Sequence, residues 1–176
     1  MTLTMNGVKI LSMGGTIDKI YHDQLSDFKV GSPQIEEILS DANMTPSITI
    51  EEICRKDSLE LTDQDRDDLL NALINCQERG VLITHGTDTM IKTAQHLLTH
   101  YQTKLKDKII VLVGSMTPAK FRSTDATFNI GFAMGALSAL SPGVYITMNG
   151  QILTPDNAVK DRETMTFKPL NDSTTG

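Results

Sequence analysis

The sequence predicts an α/β fold of the doubly wound type, a mostly parallel sheet with helices on both faces. Three observations carry that prediction. Short runs rich in β-branched residues alternate with longer stretches of helical period along most of the chain. Three of the runs, GVLIT (80–84), KIIVLVG (108–114) and GVYITM (143–148), are continuously apolar, as strands covered on both faces must be. The 176 residues, 39% of them hydrophobic, suffice for a single domain with a real core.

Taken in order, VKIL (8–11) is the first strand and SITIEEI (47–53), which alternates, the second. The three apolar runs follow as the third, fourth and fifth. SPQIEEILSD (32–41) reads as a helix with Ser32 as N-cap, Pro33 in the first turn, and Ile35, Ile38 and Leu39 on one face. TDQDRDDLLNALINCQERG begins at Thr62 or Asp63, crowds acids into its first turn and is expected to end at Gly80. TDTMIKTAQHLLTHY follows the third strand. STDATFNIGFAMGALSAL follows the fourth, with Ala133, Gly135, Ala136 and Ala139 allowing close packing, and Pro142 and Gly143 ending it. Residues 14–31 show little periodicity and are expected to form a long loop, a feature that in compact domains is usually functional. The domain is expected over residues 1–170, with 171–176 (NDSTTG) as a flexible tail.

Composition excludes several classes. The net charge of −6, with no basic cluster beyond the diluted KLKDK (104–108), argues against nucleic-acid binding. No apolar stretch reaches membrane-spanning length, and MTLTMNGVKIL lacks the layout of a secretory signal, so a cytoplasmic location and no membrane partner are expected. Cys54 and Cys76 fit no C-x-x-C or metal-ligand spacing and are read as reduced, mostly buried thiols. His96 and His100 stand four apart on a predicted helix, without a third ligand to make a metal site. No cofactor is expected.

In open α/β sheets ligands sit beyond the carboxyl ends of the strands. Three such ends carry chemistry here: MGGTIDKIY, CRKDSLELT and THGTDTM. Each has an ordinary reading when taken alone. Thr16 after Gly-Gly could simply bond its own turn, and Thr87 with Asp88 could merely cap a helix. A helix start also offers free N–H groups to an anion or developing oxyanion. His85 invites a role as base but has no evident nucleophile partner. SMGGTID satisfies neither phosphate-loop pattern, which leaves a nucleotide-binding protein as a distant third reading.

MGGTID after the first strand and ITHGTDTM after the third, in that order, resemble the two signature segments of the bacterial-type L-asparaginase family, threonine amidohydrolases of side-chain amides. The resemblance continues through DSLELT (57–62), VGSMTP (113–118), FNIGFAMGAL (128–137), GVYITMNGQIL (143–153) and TFKPLN (166–171). It implies a flavodoxin-like domain and assigns residues one by one. Thr16 matches the nucleophilic threonine. Thr87, Asp88 and Lys160 match the second Thr-Asp-Lys constellation, Lys160 being placed twelve residues after Met148. Asp57 and Ser58 match the segment that holds the substrate's α-carboxylate, and Gly15 and Gly86 let backbone approach the substrate.

Three departures stand out. The tyrosine that usually precedes x-Val-Gly is Phe28 in FKVG, so the phenol assisting the first threonine is expected to be Tyr21. A glutamine-like position is Leu59. The usual second domain is also absent from the chain, as in short-chain, single-domain asparaginases. The implied activity is hydrolysis of L-asparagine to L-aspartate and ammonia through a threonine acyl-enzyme, in a homo-oligomer. Two alternatives stay open: a glutaminase, amidase or amidotransferase component, and a non-catalytic amino-acid-binding homologue.

Overall fold

A computed structural model describes residues 7–170. The central sheet has six strands. Five are parallel: β1 (Val8–Gly14), β4 (Ile48–Lys56), β5 (Gly80–Thr84), β6 (Ile109–Val113) and β7 (Gly143–Met148). The short β8 (Gln151–Leu153) returns antiparallel to β7. The spatial order β4-β1-β5-β6-β7-β8 reverses direction at the β1/β5 seam. There the chain leaves β1 toward one side and β5 toward the other, opening a crevice at the strands' carboxyl ends.

Every residue of β5 and β6 is buried, as their unbroken apolar runs require. The helices are α1 (Ile35–Asp41), α2 (Asp63–Asn75), α3 (Met90–His100) and α4 (Ala126–Ala139). α1 packs with α4 and α2 with α3. Ile10, Leu82 and Val111 run across the sheet in register at full burial, while Ile130 and Leu97 are fully buried on α4 and α3.

Several boundaries differ from expectation. Ser32 does not cap α1. The cap position is Gln34, whose own side chain donates to the Ser32 carbonyl at 2.8 Å, because the Gln34 N–H is taken by a buried carboxylate, Asp18. Thr62 does cap α2, in a reciprocal box with Asp65. That helix stops at Asn75 rather than running to Gly80, which instead opens β5. Likewise α4 ends at Ala139, with Gly143 opening β7. The expected tail, 171–176, lies outside the described residues.

The largest difference is in residues 14–31, which are ordered pairing rather than loop. β2 (Lys19–His22) and β3 (Asp27–Val30) form an antiparallel hairpin, turning through Ser26 in the left-handed region (φ 47°). Four-residue strands are too short for their alternation to stand out, and one sheet face is mostly solvent. A second hairpin, β9 (Ala158–Asp161) with β10 (Thr166–Pro169), follows β8. It is pinned by the buried Phe167 ring and by donation of the Phe167 N–H to the Asn149 side chain at 2.7 Å.

Candidate active site

Three turns converge at the β1/β5 seam. Gly14 and Gly15 hold φ of 83° and 90°, a region costly to any side chain, and carry the chain sharply out of β1. The Gly15 N–H is anchored on the Lys56 carbonyl at 2.9 Å, where β4 ends. Gly15 and Gly86 lie backbone to backbone. A Cβ built on Gly15 would come within 2.4 Å of the Gly86 Cα, and one on Gly86 within 2.6 Å of the Ser58 Cβ. Gly15 and Gly86 are thus needed for contact between turns.

Thr16 follows directly, half-buried at the start of a short 3-10 turn (Thr16–Asp18). Its hydroxyl makes no hydrogen bond to the described residues, and neither does that of Ser58, which is otherwise buried. Ser58 is presented by a 3-10 turn that Asp57 and Glu60 cap reciprocally. Lys19, the first residue of the β2–β3 hairpin, pairs with Asp57 at 2.8 Å and holds its carboxyl below the usual carboxylate range.

On the opposite wall, Lys160 Nζ donates to Thr87 Oγ1 and to Asp88 Oδ1, both at 2.8 Å. The lysine side chain is only 9% exposed, so this pairing is largely shielded from solvent. Arg162 adds a second cation on the same carboxylate oxygen, at 3.2 Å. Thr87 and Asp88 do not begin the helix. They form the turn before it, and the N-cap position is Thr89, whose hydroxyl donates to the Ser58 carbonyl at 2.7 Å. That bond ties the second turn to the third.

Tyr21 lies on the hairpin, directly across from Phe28 in the β2–β3 register. The two rings meet edge to face at 5.3 Å, and Phe28 meets Phe121 at 5.5 Å. The Tyr21 ring is 54% exposed and its hydroxyl has no partner among the described residues. His85 is fully buried, and that burial lowers its pKa to about 4. Leu59 projects outward at 71% exposure, away from any polar duty. His96 and His100 face each other at 5.2 Å, with Asp67 at 3.2 Å from His96; among the described residues no metal-holding group of three or more His, Cys, Asp or Glu occurs.

The geometry therefore gathers Gly15, Thr16, Asp57, Ser58, Gly86, Thr87, Asp88 and Lys160 around one crevice and carries Tyr21 on a flap beside it. Sequence reasoning missed three participants. Lys19 and Arg162 pair with Asp57 and Asp88, contacts between distant segments that leave no local signal. Asp18 is buried under the first turn, receiving the Ser12 hydroxyl at 3.2 Å and the Gln34 N–H at 2.8 Å. Burial pushes its carboxyl up to about 7, against the lowering effect of those donors.

A family model described as "Asparaginase, N-terminal" matches residues 7–174. The chain belongs to the asparaginase family. Asparaginase relatives include L-asparaginase 2 of Escherichia coli, 31% identical over 96% of this chain and 51% of its own length. Glutaminase-asparaginase of Acinetobacter glutaminasificans is 36% identical over 73% of this chain and 38% of its own. Among solved structures, a probable cytoplasmic L-asparaginase from Campylobacter jejuni superposes with a TM-score of 0.79 at 28% identity, covering 94% of this chain and 53% of that one. The chain thus spans about half the length, or less, of these relatives. The sheet it shares with the Campylobacter jejuni structure is the six-stranded one described above.

Proposed function

We propose that the chain is an amidohydrolase that converts L-asparagine to L-aspartate and ammonia, with residues 7–170 as an amino-terminal-type catalytic domain. The observation that carries this reading is an unpartnered threonine hydroxyl on a turn that meets, through the Gly15–Gly86 backbone contact, the turn of a shielded Thr-Asp-Lys cluster.

Thr16 Oγ attacks the side-chain amide carbon as its proton passes to a neighbouring base. The tetrahedral oxyanion collapses, the C–N bond breaks, and protonated nitrogen leaves as ammonia. Water then adds to the Thr16 ester through a second tetrahedral state, releasing the acid and restoring the hydroxyl. A threonine hydroxyl needs such help near neutral pH. Tyr21 is the proposed proton relay. Its cross-strand pairing puts a phenol on the hairpin face, beside Phe28, where Phe28 has none.

Lys160 orients Thr87 through its hydrogen bond and stands beside it as the proposed basic group of the second step. Ser58 is free to donate to the α-carboxylate. Asp88 keeps Oδ2 available for the α-ammonium, since both cations sit on Oδ1. The glutaminase-asparaginase relative favours glutamine as a second substrate.

No helix among the described residues is long and apolar enough to cross a membrane. A cytoplasmic location is inferred from two unpaired, half-buried thiols and from the likeness to the probable cytoplasmic enzyme of Campylobacter jejuni. A homo-oligomer belongs to the same reading. Ammonia release from asparagine and glutamine, measured side by side with light scattering on the same sample, tests it. Turnover of asparagine is expected, and binding of aspartate without any ammonia release would replace the enzyme with an amino-acid-binding module.

A further inference from the structure

Beneath the turn that follows β5 runs a chain of buried hydrogen bonds that the mechanism above does not use. Arg66 is 1% exposed, an unusual fate for a guanidinium. Its Nη1 donates to the Leu61 carbonyl at 3.4 Å and to Asp63 Oδ1 at 3.1 Å, and its Nε donates to Thr93 Oγ1 at 3.1 Å. Thr93, on the buried face of α3, lies 2.8 Å from His85 Nε2. His85 Nδ1 lies 2.7 Å from the Gly86 carbonyl oxygen.

For a singly protonated ring these contacts admit one arrangement of protons. Arginine only donates, so Thr93 Oγ1 accepts from Arg66 and sends its own hydroxyl proton to His85 Nε2. A carbonyl oxygen only accepts, so Nδ1 must carry the ring proton and donate it to Gly86. A second ring proton would make Thr93 Oγ1 accept twice and take away His85 Nε2 as the acceptor for its own hydroxyl proton. Burial and the Arg66 charge oppose it too.

The peptide that receives this bond is the one joining Gly86 to Thr87. The peptide is planar and trans, so its N–H points opposite to its carbonyl. With the oxygen held inward by His85, the Thr87 N–H faces away from the buried ring. That N–H has no partner among the described residues. A preorganised donor of this kind stabilises developing negative charge without reorganising when the charge appears.

We propose that His85 is a positioning residue, locked by Thr93 and Arg66 as the neutral Nδ1–H tautomer, whose bond to the Gly86 carbonyl aims the Thr87 N–H at the reacting oxygen. Its kinetic part rests on the amidohydrolase reading; the tautomer and the peptide orientation do not.

Nitrogen-15 spectra of the unmodified protein test the lock directly. The expected result is a single neutral His85 with protonated Nδ1 from pH 5 to 8. A protonated Nε2, or titration near the ordinary histidine value, overturns the proposal. Two substitutions then separate aiming from space-filling. In His85→Asn the side-chain amide nitrogen takes the place of Nδ1 and still reaches Gly86. In His85→Gln it takes the place of Nε2 and does not, although more of the volume is filled.

Aiming predicts that Gln loses about ten- to a hundredfold in kcat at little-changed KM, while Asn recovers most of it. Equal loss, or Gln outperforming Asn, overturns the proposal in favour of packing. Should the unmodified protein release no ammonia from any amide, the amidohydrolase reading fails and the spectra alone decide the tautomer of His85.

Discussion

The turn after β1 and the turn after β5 each present a threonine to the same crevice, yet they are built on opposite plans. Thr16 is half-buried, its hydroxyl bonded to nothing among the described residues, and continues into a two-stranded flap whose aromatic rings are about half exposed. Thr87 is buried, clamped by Lys160 and backed by the His85–Thr93–Arg66 chain. A nucleophile must be free to move onto its target, whereas a group that stabilises charge works best when fixed beforehand. The contrast suits a division of labour between an attacking turn and a receiving turn.

The largest effect should come from Thr16→Ala, which is expected to abolish ammonia release while changing stability by less than about 0.5 kcal/mol, because no hydrogen bond is lost. Lys160→Met should also suppress turnover, but with about 1–3 kcal/mol of destabilisation, since it strips a shielded pair from Asp88 and a donor from Thr87. Denaturant unfolding beside kinetics separates the two. If both variants behaved alike in stability, the contrast between a free turn and a clamped one would not hold.

A smaller effect is expected from Tyr21→Phe. Its hydroxyl is unpartnered, so stability should be unchanged while kcat falls by about a hundredfold, within the range of general acid–base assistance. An unaltered rate would leave the flap with a covering role only.

The subtlest prediction concerns pH. Asp18, under the first turn, keeps its proton in the fold to about pH 7 but loses it near 3.8 when unfolded. Between those values the folded state binds the extra proton, so this group's contribution to stability declines as pH rises. His85, under the second turn, stays neutral in the fold down to about pH 4 but protonates near 6.5 when unfolded. Its contribution therefore rises with pH between about 4 and 6.5. The two slopes oppose, each bounded at about 3–4 kcal/mol. Asp18→Asn should unmask the histidine slope, giving stability that climbs with pH below 6.5. A pH dependence identical to that of the parent would show that Asp18 does not titrate as its burial implies.

Most of the sheet was legible in the sequence because β5 and β6 are buried on both faces and carry no polar side chain before the terminal Thr84 of β5. The glycine-flanked threonines were legible for a related reason, since sharp exits from strands demand residues of a few kinds. The β2–β3 hairpin was not, because Tyr21 and Phe28 pair on an exposed surface with no apolar face to mark it. The β7–β8 turn could have been found. Asn149 and Gly150 both have positive φ, the conformation that an Asn-Gly pair announces. Ser32 misled because its neighbour Gln34 spends its N–H on Asp18, sixteen residues away, a contact that no local rule contains.

The register of the flap has a consequence for how such a site could change over generations. Positions 21 and 28 face each other on one side of a two-stranded ribbon, with their rings already touching. A phenol could pass from one strand to the other through an intermediate carrying tyrosine at both places. Each step would alter one hydroxyl and leave the backbone alone. Position-by-position comparison would record a lost residue at 28, while the ribbon as a whole had kept its inventory and merely changed the seat.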